Sequence, residues 1–304
     1  MNFTAKDVAA LRELTGVGMM DCKKALTETG GDLEAAQLYL REKGLAAAEK
    51  KASRVAADGM VIATVADNGI GAIVEVNSET DFAAKSEKFV EFVNSVANVV
   101  AQGEVKEIEG LEAAQYPGSD MTVAEMLRDC ITVIGENLKI RRFAQNNGFT
   151  NVAYNHGGGR IGVLLSMNVS DNLKGNDAVI TMGKNIAMQI AAMNPLWLTS
   201  ADACAETVER ERNIIKTQIL EEGKPEHVAD KIVEGRIAKY YSEVCLLNQH
   251  YVQGDKITVQ QYVEQTAKEL GGTIELTDFV RFEKGEGIEK KEDDFAAEVA
   301  KMSS

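Results

Sequence analysis

Histidine and proline each occur only three times in the 304 residues, and cysteine four times. His156, His227 and His250 lie far apart in the chain, so a zinc site has neither its ligand count nor its local spacing. Cys22, Cys130, Cys204 and Cys245 form no CxxC pair. That speaks against a disulfide framework and for a reducing compartment. No apolar run is long enough to cross a bilayer, and the start of the chain lacks both a signal peptide and an Arg-rich leader, so a bacterial cytoplasm is expected. Basic residues are also in deficit. With 33 of them against 47 acidic ones the net charge is −14, which repels a phosphate backbone and disfavours nucleic acid as a direct partner. Finally, there is no GxxxxGK[ST] loop to cradle nucleotide phosphates and no GxSxG elbow to carry a serine nucleophile. The expectation is a protein that is not an enzyme and uses no cofactor or metal.

What is present is a composition of 45% hydrophobic and 26% charged residues, the profile of a folded, helix-rich chain. Its length calls for two or three compact units. Thr4 to Arg41 reads as three short helices: Val8, Leu11 and Leu14 recur at helical spacing, Gly16 and Gly18 break the run, Gly30-Gly31 ends the second helix, and Asp32 caps the third. The alanine- and charge-rich stretch from Gly44 to Asp58 reads as a linker with some helical tendency.

Further on, Met60 to Ala66 and Ile70 to Asn77 are β-rich runs joined by Asp67-Asn68-Gly69, a hairpin signal. Ser86 starts a helix whose inward face carries Phe89, Phe92, Val93, Val96 and Val100. Thr122 and Glu125 form a capping box for a helix through Ile134, followed by strands at Leu138 to Ala144 and Thr150 to Asn155. The pattern then recurs, with a strand at Ile161 to Val169 and a helix at Asp177 to Met193. Ser200 to Glu222 and Pro225 to Tyr241 form a charged αα hairpin with a narrow seam of Ala205, Val208, Ile215 and Ile219, interrupted by Arg212. It reads either as a pair lying on the core or as a projecting coiled coil. Thr258 to Leu270 is a helix, Thr273 to Phe282 a strand, and Lys291 to Met302 a terminal amphipathic helix.

Two segments invite a chemical reading. His156-Gly157-Gly158-Gly159-Arg160-Ile161-Gly162 contains GxGxxG and begins as an HGGG oxyanion loop, but a strand follows where a dinucleotide site needs a helix. A glycine turn between two strands is the better reading; an esterase remains as an alternative that one hydrolysis assay excludes. Ser78-Glu79-Thr80-Asp81-Phe82-Ala83-Ala84-Lys85 reads as a short loop between a strand end and a helix cap. Phe82 beside Asp81 is either a contact point or an aromatic folded back into the core. Met19 and Met20 read equally as core residues or as an adaptable docking surface, and an acidic adaptor for other clients is a further alternative.

Leu11-Arg12-Glu13-Leu14-Thr15-Gly16-Val17-Gly18-Met19-Met20-Asp21-Cys22-Lys23-Lys24-Ala25-Leu26 and Glu75-Val76-Asn77-Ser78-Glu79-Thr80-Asp81-Phe82 resemble the two signatures of the elongation factor Ts family. The resemblance continues through Arg160-Ile161-Gly162-Val163-Leu164, Glu234-Gly235-Arg236 and the stretch Arg281 to Lys290, with Ala83 standing where the family usually has valine. It implies an α+β fold: an N-terminal three-helix ubiquitin-associated-like (UBA-like) domain (1–52), two similar α+β core subdomains with antiparallel sheets (53–154, then 155–199 with 242–282), a coiled-coil arm (200–241) and a C-terminal helical module (283–304). It also implies a guanine nucleotide exchange factor whose partner is the GTPase EF-Tu; whether the arm makes a homodimer or 2:2 complex, a partner contact or neither is left open by the sequence. On this resemblance Thr80, Asp81, Phe82 and Ala83 disturb the partner's Mg²⁺ site, Arg12, Met19, Met20 and Lys23 dock its nucleotide domain, and His156 makes a further contact.

Overall fold

The structure, a computed structural model, describes residues 3–254 and 256–289. The chain opens with α1 (Ala5–Thr15), α2 (Met19–Glu28) and α3 (Leu33–Lys51). Asp7 accepts the Thr4 N–H at the start of α1, and Asp32 accepts the Ala35 N–H at the start of α3. Each bond satisfies an amide that the helix leaves free. Val8, Leu11, Val17, Cys22, Ala25, Leu26, Ala36 and Leu40 close a small core. Leu14, expected on that inward face, is 67% exposed, because the core ends one turn earlier at Leu11.

The remainder of the described chain runs β1 (Asp58–Val65), β2 (Gly71–Ser78), α4 (Asp81–Ala84), α5 (Glu87–Val100), α6 (Ile108–Ala113), α7 (Val123–Ile134), β3 (Lys139–Asn146), β4 (Thr150–His156), β5 (Ile161–Val169), α8 (Asp177–Met193), α9 (Ala205–Glu221), α10 (Glu226–Val244), α11 (Val259–Leu270) and β6 (Ile274–Glu283). Two three-stranded antiparallel sheets result, β1-β2-β3 and β4-β5-β6. The strand β4 straddles the boundary drawn between residues 154 and 155, and its ladder partner is β5.

Strand periodicity explains how the sheets stack. On β2, Ala72, Val74 and Val76 join Phe89, Phe92, Val93 and Val96 of α5 in one core, while Ile73 points the other way, to Val61, Ala63 and Leu164. On β5, Val163, Leu165 and Met167 face α8, and Leu164 faces the first sheet. The order is therefore helix, sheet, sheet, helix, and every residue of β2 is buried because both of its faces are covered. Polar side chains stitch the two sheets where strands end. Asn155 accepts the Ala63 N–H at 2.7 Å and donates to the Ala63 carbonyl at 2.9 Å, as a neighbouring strand's backbone would.

The stretch read as a linker from Gly44 is helical as far as Lys51, since alanine favours helix and α3 gains a surface to lie on. It packs against α7, where a Cβ on Gly44 would come within 2.4 Å of the Thr132 hydroxyl. The αα hairpin has its own core of Ile215, Ile219, Ala229, Val233 and Ile237. Arg212 interrupts that seam by pairing with Glu234 across it, and Lys216 pairs with Asp230 at 3.0 Å. Ala205 is exposed, so the seam is shorter than its sequence spacing implied, and Pro225 caps α10 instead of occupying its first turn. At the arm's base the Leu196 N–H bonds the Val244 carbonyl and the Leu246 N–H bonds the Trp197 carbonyl, both at 2.8 Å. The helix expected at Lys291 to Met302 lies outside the described residues.

Candidate functional site

The segment after β2 is one turn of helix, where the sequence read as a short loop. Thr80, in extended conformation, caps it by accepting the Ala83 N–H at 3.2 Å, and Ser78 donates to the Thr80 carbonyl at 2.8 Å. A threonine cap followed by aspartate favours such a turn, because both satisfy or complement the free amides of a helix start. Ala83 and Ala84, each 4% exposed, seat the turn against the sheet. Phe82 is therefore forced onto the outer face and is 82% exposed. It does not fold back into the core. Asp81 pairs with Lys85 at 2.6 Å, and this hydrogen bond, with the charges of Lys85 and Lys284, holds its carboxyl below the usual range.

A residue that sequence reasoning missed secures this turn. Glu136, just beyond α7, accepts the Thr80 N–H at 2.9 Å and the Thr80 hydroxyl at 2.6 Å. Its neighbour Asn137 gives its own N–H to Glu79 at 2.6 Å and its side-chain amide to the Arg54 carbonyl at 2.7 Å. These partners are 56 to 83 residues apart, and no local pattern announces them.

Beneath lies Glu75, fully buried in β2 and also missed. Its carboxylate accepts from Arg142 Nε at 2.5 Å, Arg141 Nη1 at 3.0 Å, Asn77 at 3.0 Å and the Gly285 N–H at 2.8 Å. Consecutive strand residues normally point to opposite faces; here a β-bulge opposite Glu75/Val76 leaves Arg141 out of register, so both arginines reach one carboxylate. Burial alone raises the Glu75 pKa, but the Gly285 amide, Asn77 and Arg142 outweigh it and leave the group below its ordinary value. Gly285 sits at φ 69°, and a Cβ there would strike the Ala57 carbonyl at 2.1 Å, so only glycine brings the segment after β6 this close. Lys284 completes the clasp by pairing with Asp58.

The other sequence-selected residues stand apart from the turn. Arg12, Met19, Met20 and Lys23 are all exposed on the N-terminal module, Met20 at 74%, with Met19 and Lys23 one helical turn apart. His156 ends β4, exposed, with Nδ1 2.9 Å from the Tyr154 hydroxyl. Gly157 to Gly159 all have positive φ and make the hairpin turn expected of them, closed by the Arg160 N–H on the His156 carbonyl at 3.0 Å. The result is a set of separate projecting points on rigid elements, and among the described residues no group of three or more His, Cys, Asp or Glu is placed to hold a metal.

The family model described as "Elongation factor TS" matches residues 79–286, from the residue before the Thr80 cap to the residue after Gly285. The chain belongs to the elongation factor Ts family. It is 52% identical over 303 residues to elongation factor Ts of Clostridium perfringens (strain SM101 / Type A), covering 98% of each chain. It is 49% identical to that of Syntrophotalea carbinolica over the full length of both, and 47% identical to that of Trichlorobacter lovleyi over 99% of this chain and 98% of the relative. As a member of the elongation factor Ts family with this α+β fold, it is a translation elongation factor. None of its described helices is long and apolar enough to cross a membrane.

Proposed function

We propose that this translation factor is a cytoplasmic guanine nucleotide exchange factor: it binds EF-Tu in the GDP state, disturbs the Mg²⁺ site and so lets GDP leave and GTP enter. The observation that carries the reading is Phe82, a large apolar side chain 82% exposed on a turn whose alanines are buried. Such a group gains little from burial in its own fold and is free to serve as an aromatic anchor in another protein. A GTPase that holds GDP at nanomolar strength binds it by about 12 kcal/mol, much of it through Mg²⁺ and phosphate contacts. A partner that binds the empty form more tightly must weaken GDP by the same factor, since the two affinities are linked. No bond is made or broken by the factor.

In this reading Phe82 wedges beside the metal site, Asp81 secures the displaced conformation, and Thr80 and Ala83 frame them. Arg12, Met19, Met20 and Lys23 hold the nucleotide domain, and His156 adds a further contact. The arm, with Ile214 and Leu220 exposed at 46% and 43%, offers a separate surface for EF-Tu or for a second copy of the chain. The test is release of fluorescent GDP from EF-Tu under rising concentrations of the factor; no acceleration removes the proposal. Replacing Met19 and Met20 together by alanine is expected to raise the half-saturating concentration about tenfold, in line with the 1–2 kcal/mol of a docking contact. Because both side chains are exposed, the melting temperature is expected to stay unchanged in calorimetry.

A further inference from the structure

We propose that Glu136 is a positioning residue for exchange, holding the Asp81–Ala84 turn in the conformation that presents Phe82; this rests on the exchange reading above. A helix of one turn does not sustain itself, because nucleating it fixes several dihedrals for a single hydrogen bond. Phe82 cannot help, since it points into solvent. The turn is held by the burial of Ala83 and Ala84, the Thr80 cap, the Asp81–Lys85 pair, the Ser78 and Ser86 hydroxyls on the Thr80 and Ala83 carbonyls, and the carboxylate of Glu136, which alone takes both the backbone N–H and the hydroxyl of Thr80. Its geometry leaves the threonine oxygen free to accept from Ala83, so Glu136 orients the cap and not only the chain.

The arrangement is reciprocal. Glu136 accepts from Thr80, and Glu79, one residue before it, accepts from Asn137, one residue after Glu136. Two adjacent segments thus exchange carboxylates for amides, and charge-assisted bonds of this kind are about twice as strong as neutral ones. Gly135, left-handed at φ 87°, ends α7 and turns the chain so that Glu136 follows directly. Through Asn137 and Arg54 the clamp also holds the segment that follows α3, and α3 rests on α7. The turn and the last helix of the N-terminal module thus both make contacts with α7 and the residues that directly follow it.

A pose populated only part of the time lowers the productive fraction of encounters in proportion. Glu136→Ala is expected to lower the saturating rate of GDP release about tenfold while the half-saturating concentration, set mainly by the N-terminal module, moves less than about threefold. In the same variant, amide exchange at Ala83 to Lys85, read by NMR, should speed up about tenfold with the melting temperature nearly unchanged. Adding Glu136→Ala to Thr80→Val should cost little more than Thr80→Val alone, because both act on one cap. A purely structural role would instead shift the melting temperature and both kinetic constants together. Wild-type amide protection in Glu136→Ala, or fully additive effects with Thr80→Val, overturns the clamp. If the wild-type protein leaves GDP release unchanged the exchange reading falls with it, whereas wild-type acceleration matched by Glu136→Ala removes the clamp alone.

Discussion

Phe82→Ala is expected to lower the saturating rate of GDP release from EF-Tu about a hundredfold, with no change in the melting temperature of the free factor. The two halves of this result have one origin. A side chain 82% exposed contributes almost no burial to its own fold, so truncating it removes little from stability. In a complex the same ring would be desolvated, and buried aromatic anchors at interfaces lose about 2–4 kcal/mol when cut to alanine. Phe82→Leu, which keeps an apolar group of nearly the same reach, should retain much more of the rate. Stopped-flow release of a fluorescent GDP decides it, and a saturating rate equal to wild type for Phe82→Ala removes the wedge from the mechanism.

Glu75→Ala is expected to destabilise the fold by about 3 kcal/mol. Removing the carboxylate leaves Arg141 without its ion-pair partner and Arg142 with Glu286 alone, at 3.1 Å, and deprives the Gly285 amide of its acceptor. The estimate sits at the low end for a broken buried pair because Arg141 and Arg142 keep 25% and 30% of their side chains in contact with solvent. Urea denaturation gives the number. The pH dependence has a fixed sign. The folded Glu75 pKa is depressed below the ordinary carboxylate value of 4.5, so its contribution is fully present above 4.5 and is lost as pH falls through the folded value. The stability gap between wild type and Glu75→Gln should therefore be constant near neutrality and shrink in acid. A gap that widens on acidification contradicts the ion-pair account.

Much of this was legible beforehand, and the reasons are physical. The Ile161–Val169 strand and the Asp177–Met193 helix follow from their apolar runs and from the stop at Asn194-Pro195, where Asn194 is left-handed. The Thr122/Glu125 capping box reads directly because capping is local. Leu14 misled because periodicity shows that a residue lies on a helix face but not where the opposing surface stops. The Thr80 turn escaped because four residues are too few for any period to register. For Phe82, local sequence left core and contact readings level; its direction was decided by the burial of Ala83 and Ala84. Glu75, Glu136 and Asn137 were silent for another reason. Their partners come from distant parts of the chain, and in one case only a bulge aims two neighbouring arginines at the same carboxylate.

The arm carries a consequence of its own construction. The chain leaves the core at Leu196-Trp197 and returns at Val244 to Leu246, and these two segments are hydrogen-bonded to each other. Everything beyond is a closed excursion that ends where it began, with its own small core of isoleucine, valine and alanine. The bonds that close it all lie at its base. Adding whole helical turns in matching pairs, or grafting a foreign sequence at the Gly223-Lys224 tip, is therefore expected to leave the bonds at Leu196, Trp197, Val244 and Leu246 in place.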